Sequence, residues 1–133
     1  MRLTSRGEYA LLALVYLARQ KGAAYVPLET IAQVQHIPPK FLEQIMLILK
    51  RAHYVQSHKG QHGGYRLALA PTEITLAEII RLCDGPLAPT ESVSTNFYAS
   101  TPIEREKKLI RVLRRIRDYI AGELEHTTLA DIR

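Results

Sequence analysis

Cysteine is scarce in this 133-residue chain, with Cys83 the only one. One thiol rules out an intrachain disulfide and any four-cysteine zinc or iron–sulfur centre built by one protomer. It also agrees with a reducing compartment. Glycine and proline number only seven each, and with a 47% hydrophobic and 23% charged content they exclude a collagen-like or wholly disordered chain. There is no internal repeat and no low-complexity stretch. Long apolar runs are missing too: Ala10 to Ala18 is too short for a bilayer, which takes about 20 residues. Glu8 at its head and the basic, glycine-terminated Arg19-Gln20-Lys21-Gly22 behind it mark a first buried helix rather than a secretory leader. The expected location is the cytoplasm. No Ser-His-Asp, Cys-His or paired-carboxylate arrangement is suggested, so an enzyme is not expected. Acid falls short of base: 13 Asp and Glu face 18 Lys and Arg, a formal charge of +5. That excess fits a polyanion, either nucleic acid or an anionic membrane surface.

What is present is a sequence of short helices and one hairpin. A helix is predicted from about Ser5 to Gln20, capped by Thr4 or Ser5. Val26-Pro27 is extended, and Leu28 to Gln35 forms a short helix with apolar residues about a turn apart. His36-Ile37-Pro38-Pro39 is a tight turn, with Pro39 able to enter the first turn of the next helix, Lys40 to His53. Phe41, Leu42, Ile45, Met46, Leu49 and Ala52 repeat there at intervals of three and four. Tyr54 to Ser57 and Tyr65 to Leu69 read as strands around the glycine-rich turn His58 to Gly64. Ile74 to Leu82 is an amphipathic helix stopped by Asp84-Gly85-Pro86. Leu87 to Ser100 reads as a loop. Thr101, Pro102 and Glu104 form a capping box opening a helix to about Glu125, with an apolar stripe of Leu109, Leu113, Ile116, Ile120 and Leu124. Thr127 to Arg133 forms a terminal turn of helix.

This order defines a mainly α fold with a small β-hairpin: a winged helix-turn-helix domain over residues 1–86, a loop over 87–100, and a dimerisation helix with its terminal turn over 101–133. A recognition helix must pack one face and offer the other to the major groove. The third helix meets both needs, with Pro39, Lys40, Glu43 and Gln44 as candidate DNA contacts. The hairpin tip adds Ser57, His58, Lys59, Gln61 and His62 on a thin loop suited to phosphates or the minor groove. Thr4, Ser5 and Arg6 can donate to phosphate from a helix start. The partner is thus expected to be double-stranded DNA rather than a membrane. A helix of residues 101–125 would extend about 37 Å at 1.5 Å per residue, more than a domain of roughly 12 Å radius of gyration can cover. A second copy should cover the stripe, giving a homodimer that matches a palindrome.

Several collinear motifs resemble those of the Rrf-two family of bacterial winged-helix regulators. Leu3 to Ala10 resembles the family's opening, Phe41-Leu42-Glu43-Gln44 its "YLEQ" segment, and Lys59 to Tyr65 its "RGxxGGY" wing. Ile74 to Pro86 resembles the helix ending in Asp-Gly-Pro, and Thr127 to Ile132 the "TTLADL" end. The resemblance covers nearly the whole chain and implies homodimeric regulators paired through the C-terminal helix on palindromic operators. It makes Lys40, Glu43 and Gln44 groove-facing and places Lys59 where the family usually has an arginine. The lysine keeps the charge but loses the planar fork.

A larger departure lies in residues 87–100, which hold neither the three cysteines of cluster-bearing relatives nor any histidine. No cofactor and no metal are therefore expected. A sensor using Cys83, Glu8 and histidines is the alternative, as is an interaction module that docks a metabolic enzyme. Cys83 is a candidate redox residue whose plainer reading is a small buried side chain. His58 and His62, with His53 nearby, suit phosphate or solvent better than a metal, lacking a fixed helical spacing. The Arg-rich stretch from Lys107 to Arg117 reads as a solvated face beside an apolar seam. Phe97 and Tyr98 either line an effector pocket or plug a dimer interface. The expected function is sequence-specific transcription regulation by a repressor, released by a small molecule, a partner protein or Cys83 oxidation.

Overall fold

The computed structural model describes residues 1–133. Helix α1 (Ser5–Arg19) is capped by Thr4, whose hydroxyl accepts from the Gly7 N–H. It buries Ala10, Ala13, Leu14, Leu17 and Ala18. Helix α2 (Leu28–Gln35) ends on His36 in the left-handed region, φ 55°. The next residue, Ile37, is buried and donates its N–H to the Ala32 carbonyl, which locks the turn into α3 (Pro39–Arg51). Ile31, Leu42, Ile45, Met46 and Leu49 complete one core with α1, each buried side chain worth roughly 1.5–3 kcal/mol. Phe41 departs from its expected place inside that core. It stays partly exposed and packs edge-on against Tyr9, ring centroids 5.5 Å apart.

Strands β1 (Val55–His58) and β2 (Gly64–Leu67) pair antiparallel, with Gln56 opposite Arg66 and His58 opposite Gly64. Strand β1 sits one residue later than expected, after His53, at φ 67°, turns the chain out of α3; β2 starts one residue earlier than expected and ends two earlier, at Leu67, where its pairing with Val55 stops. Val26 adds a third, one-residue rung by exchanging two 2.8 Å hydrogen bonds with Tyr65. Helix α4 (Leu76–Asp84) starts two residues later than its periodicity suggests. Thr75 and Glu78 form a full capping box that fixes the boundary, and Ile74 is buried ahead of it.

Residues 87–100 are packed rather than slack. Leu87, Ala88, Ser92 and Val93 are buried, with one 3-10 turn at Glu91–Val93. The single helix expected over 101–125 is broken. Pro102–Arg105 forms a 3-10 turn, Glu106 is non-helical, and α5 runs over Lys107–Glu125. The expected capping box does not form because its groups are taken. Thr101 donates to the Ser92 hydroxyl, and the Glu104 carboxylate accepts from Tyr98 and from Ser100. The helix is therefore about 28 Å long. Helix α6 (Leu129–Ile132) follows, and Leu129 reaches the main core with no exposure at all. The Leu76 N–H donates to the Thr127 carbonyl and the Leu129 N–H to that of Ile74, tying the chain's last turn to α4's entry. No helix is long and apolar enough to cross a membrane.

Candidate nucleic-acid interface

The candidate contacts stand on three rigidly held pieces. Pro39 opens α3 at its first helical position, where a missing N–H costs nothing. With Leu42, Ile45, Met46 and Leu49 buried, Lys40, Glu43 and Gln44 are left exposed on the other side. Lys40, Gln44, Leu47 and Arg51 step by four, three and four along that surface. The sequence pattern did not single out Leu47. It is 44% exposed, and an apolar side chain on a groove-facing helix can meet a thymine methyl.

The wing is shaped by close backbone approaches. A Cβ on Gly64, at φ +142°, would strike the Val26 carbonyl, and one on Gly63 would strike that of His58. His58, Lys59, Gln61 and His62 are exposed, while Ser57 is half-buried. A concavity of about 480 Å3 brings Ser57, His58, Lys59 and Gln61 together with Glu29 of α2 and Lys50 of α3. Lys50 is a cation the sequence reading left out of its contact set. His62 lies on the tip outside this concavity. Burial first, and then the nearby Glu43 carboxylate, push the Tyr65 phenol upward, so the α3 face and the wing root share one electrostatic neighbourhood.

At the start of α1, Ser5 and Arg6 are exposed, but the Thr4 hydroxyl is committed. It donates to Asp84, which also accepts the Thr4 N–H at 3.0 Å. A side chain at Gly7 would collide with the Asp84 carboxylate, so Gly7 and Asp84 fit as a pair. Thr4, Ser5 and Arg6 share a concavity of about 470 Å3 with Phe41, at the start of α3, and with Cys83 and Asp84. Asp84 is thus a third residue that local pattern misses, because its partner lies 80 positions away.

The predicted apolar stripe of α5 splits in two. Leu113, Ile120 and Leu124 pack half-buried on their own chain beside buried Ile110. Leu109 and Ile116 are exposed, in line with Val112 and Tyr119, at 43%, 42%, 39% and 72% respectively. Arg117 is held by the Val93 carbonyl and Asp118, and Arg81 by Glu125 at 2.5 Å. Lys107, Lys108, Arg111, Arg114 and Arg115 are exposed. Cys83 is buried, and that burial, followed by the Asp84 charge, pushes its thiol up to about 11.

A helix, a short helix, a locked turn, a third helix with one polar face and a glycine-shaped hairpin make this a winged helix-turn-helix protein. The particular lineage follows from comparison. The sequence matches the Rrf2 family, described as iron-dependent transcriptional regulator, over residues 3–133, and the chain belongs to that family. It is 34% identical to the HTH-type transcriptional regulator CymR of Bacillus subtilis over 132 residues, 99% of this chain and 89% of that one. The solved structure of CymR, the global cysteine regulator of B. subtilis, superposes with a TM-score of 0.81, covering 99% of this chain and 95% of that one at 34% identity. IscR of T. potens superposes at a TM-score of 0.66 and 29% identity, covering 99% and 85%. The protein is a DNA-binding transcription regulator, and its relatives are regulators rather than enzymes. The iron in the family's description does not fit the donors of this chain. No group of three His, Cys, Asp or Glu side chains is placed to hold a metal, and the only thiol is buried in its neutral form.

Proposed function

We propose that the protein is a homodimer that reads a palindromic operator with two copies of α3 and two wings, and represses transcription by occupying it. The observation that carries the reading is the exposed strip Leu109, Val112, Ile116 and Tyr119, spaced three, four and three on α5. That spacing is the seam of a paired helix, and four large apolar side chains at solvent on one line mark an interface. Pro39, Lys40, Glu43 and Gln44 then face the major groove. Arg6, Ser5 and the α1 start lie at phosphates, where Thr4 serves through its cap. Ser57, His58, Lys59, Gln61 and His62 contact phosphate or the minor groove.

Leu113, Ile120 and Leu124, half-buried on their own chain, contribute to the pair by stiffening the seam from behind. Occupancy is the least demanding mode of control for a protein whose argued surfaces are a DNA face and a pairing seam. The work of a bacterial transcription regulator supports a cytoplasmic location. The release signal we favour is a small molecule or partner enzyme rather than Cys83, given that thiol's burial. Sedimentation of Ile116→Glu tests the seam: the wild type should run as a dimer and the variant as a monomer that binds DNA only weakly. A monomeric wild type that still protects a palindrome would refute the reading. Transcripts beside the protected sites should rise when the protein is removed, and a fall would refute repression.

A further inference from the structure

Tyr25 lies outside every element and outside the contacts argued above, yet it is the junction of three segments. Its ring stacks on the His58 imidazole, centroids 5.3 Å apart and planes 30° from parallel. The Arg66 guanidinium carbon sits 4.4 Å from the same ring's centroid. Arg66 is held in turn by Gln56 across the hairpin at 3.1 Å and by the Ala23 carbonyl at 2.7 Å. The register explains why a ring is needed there. His58 is the last residue of β1, and its cross-strand neighbour is Gly64, which has no side chain to offer. A side chain is forbidden at Gly64 because the Val26 carbonyl occupies its place. The rung that brings Val26 to Tyr65 therefore removes the ordinary cross-strand partner of His58, and Tyr25, one residue earlier, supplies a replacement. His58 is followed directly by Lys59 and the tip turn, closed by the Gly63 N–H on the Gly60 carbonyl at 3.0 Å.

We propose that Tyr25 is a positioning residue that clamps the wing, stacking between Arg66 and His58 so that Lys59 and the tip are ordered before DNA arrives. The clamp rests on the reading of the wing as a DNA contact. It acts by removing ordering entropy from the binding step: a tip held in advance loses less freedom on the duplex than a loose one. Tyr25 also sits three residues before the start of α2, so the wing and the helix-turn-helix are aligned by one short segment.

The test uses the full chain and a duplex selected by the wild type from a random-sequence pool. Tyr25→Phe, which keeps the ring, should bind within about twofold of wild type. Tyr25→Ala should bind about tenfold more weakly, the size expected for one stacked ring with a cation over it. Tyr25→Leu, which keeps bulk without a ring, should fall with Tyr25→Ala. Amide hydrogen exchange from His58 to Gly64 should quicken in Tyr25→Ala and Tyr25→Leu while exchange in α1 and α3 stays unchanged. In the double variant with Lys59→Ala, the losses should be less than additive, because Tyr25 acts through the tip. Wild-type binding by Tyr25→Ala, fully additive losses, or unchanged exchange in the wing would each overturn the clamp. Lys59→Ala without any effect on binding would take the wing off the DNA and sink both readings. A Lys59→Ala loss beside an unaffected Tyr25→Ala sinks the clamp alone.

Discussion

Removing the Lys59 charge should change how operator binding responds to salt, and the size of that change follows from the cations on the proposed DNA face. Among the residues proposed as contacts the cations are Arg6, Lys40 and Lys59, all exposed, which makes six in a pair of chains; Lys50 and Arg51, exposed beside them, would only steepen the response. Each neutralised phosphate contributes about −0.9 to the slope of log affinity against log salt, so the wild type should show a slope of about −5. Between 50 and 200 mM salt that is roughly a thousandfold loss of affinity. Lys59→Ala removes two of the six charges from the pair, so its slope should flatten to about −4 and its loss over the same range to about a hundredfold. Fluorescence anisotropy of a labelled operator, titrated at several salt concentrations, reads the slope directly. A variant slope equal to the wild type's would show that Lys59 touches no phosphate. A wild-type slope shallower than about −2 would refute the whole electrostatic face.

Gln44→Ala should act differently, weakening the selected operator by about 1–3 kcal/mol while leaving unrelated duplexes unaffected; equal losses on all sequences would place Gln44 at the backbone. Leu129→Ala removes a fully buried side chain from the main core and should cost about 3 kcal/mol in urea unfolding, without change in the denaturant slope. A cost below about 1 kcal/mol would mean that the chain's end frays from the body. Cys83, with its thiol pushed up to about 11, is about one part in ten thousand thiolate at pH 7 and should resist iodoacetamide until the chain unfolds. The folded state holds that proton more tightly than the unfolded chain does. The group's contribution to stability is therefore complete below the ordinary thiol range and is lost as pH climbs toward about 11. Labelling of native protein at the rate of a free thiol would refute the burial argument.

Much of the architecture was legible because local signals agreed. The apolar spacing of Leu28 to Gln35 gave α2 its observed limits, and the prolines at 38 and 39 placed the start of α3. Legibility failed where a residue's polar atoms were claimed by groups outside the motif that its sequence suggests. Thr101 and Glu104 carry the right residues for a helix cap, yet Ser92, Tyr98 and Ser100 hold their oxygens instead. The stripe on α5 merged two surfaces because the helix is apolar on both: one side meets its own chain and the other meets solvent. A periodicity count cannot separate them. In the candidate site, residue types at exposed helix and hairpin positions pointed to Lys40, Gln44 and Lys59. Tyr25 and Asp84 were invisible because their roles depend on partners 33 to 80 positions away.

Helix α5 is fastened near its start, at its middle and at its end. Arg117 and Ile110 tie it to the segment around Val93, and Glu125 grips Arg81 before α6 tucks Leu129 beneath α1. Lever and reading head thus form a single stiff part. Two such parts joined along α5 would behave as a caliper whose jaws have a preset gap. Adding one base pair to an operator's spacer shifts a half-site by about 3.4 Å and swings it round by about 34°. A caliper without a slack joint cannot follow that swing, so spacer length, as much as base sequence, should decide which sites in a genome it grips.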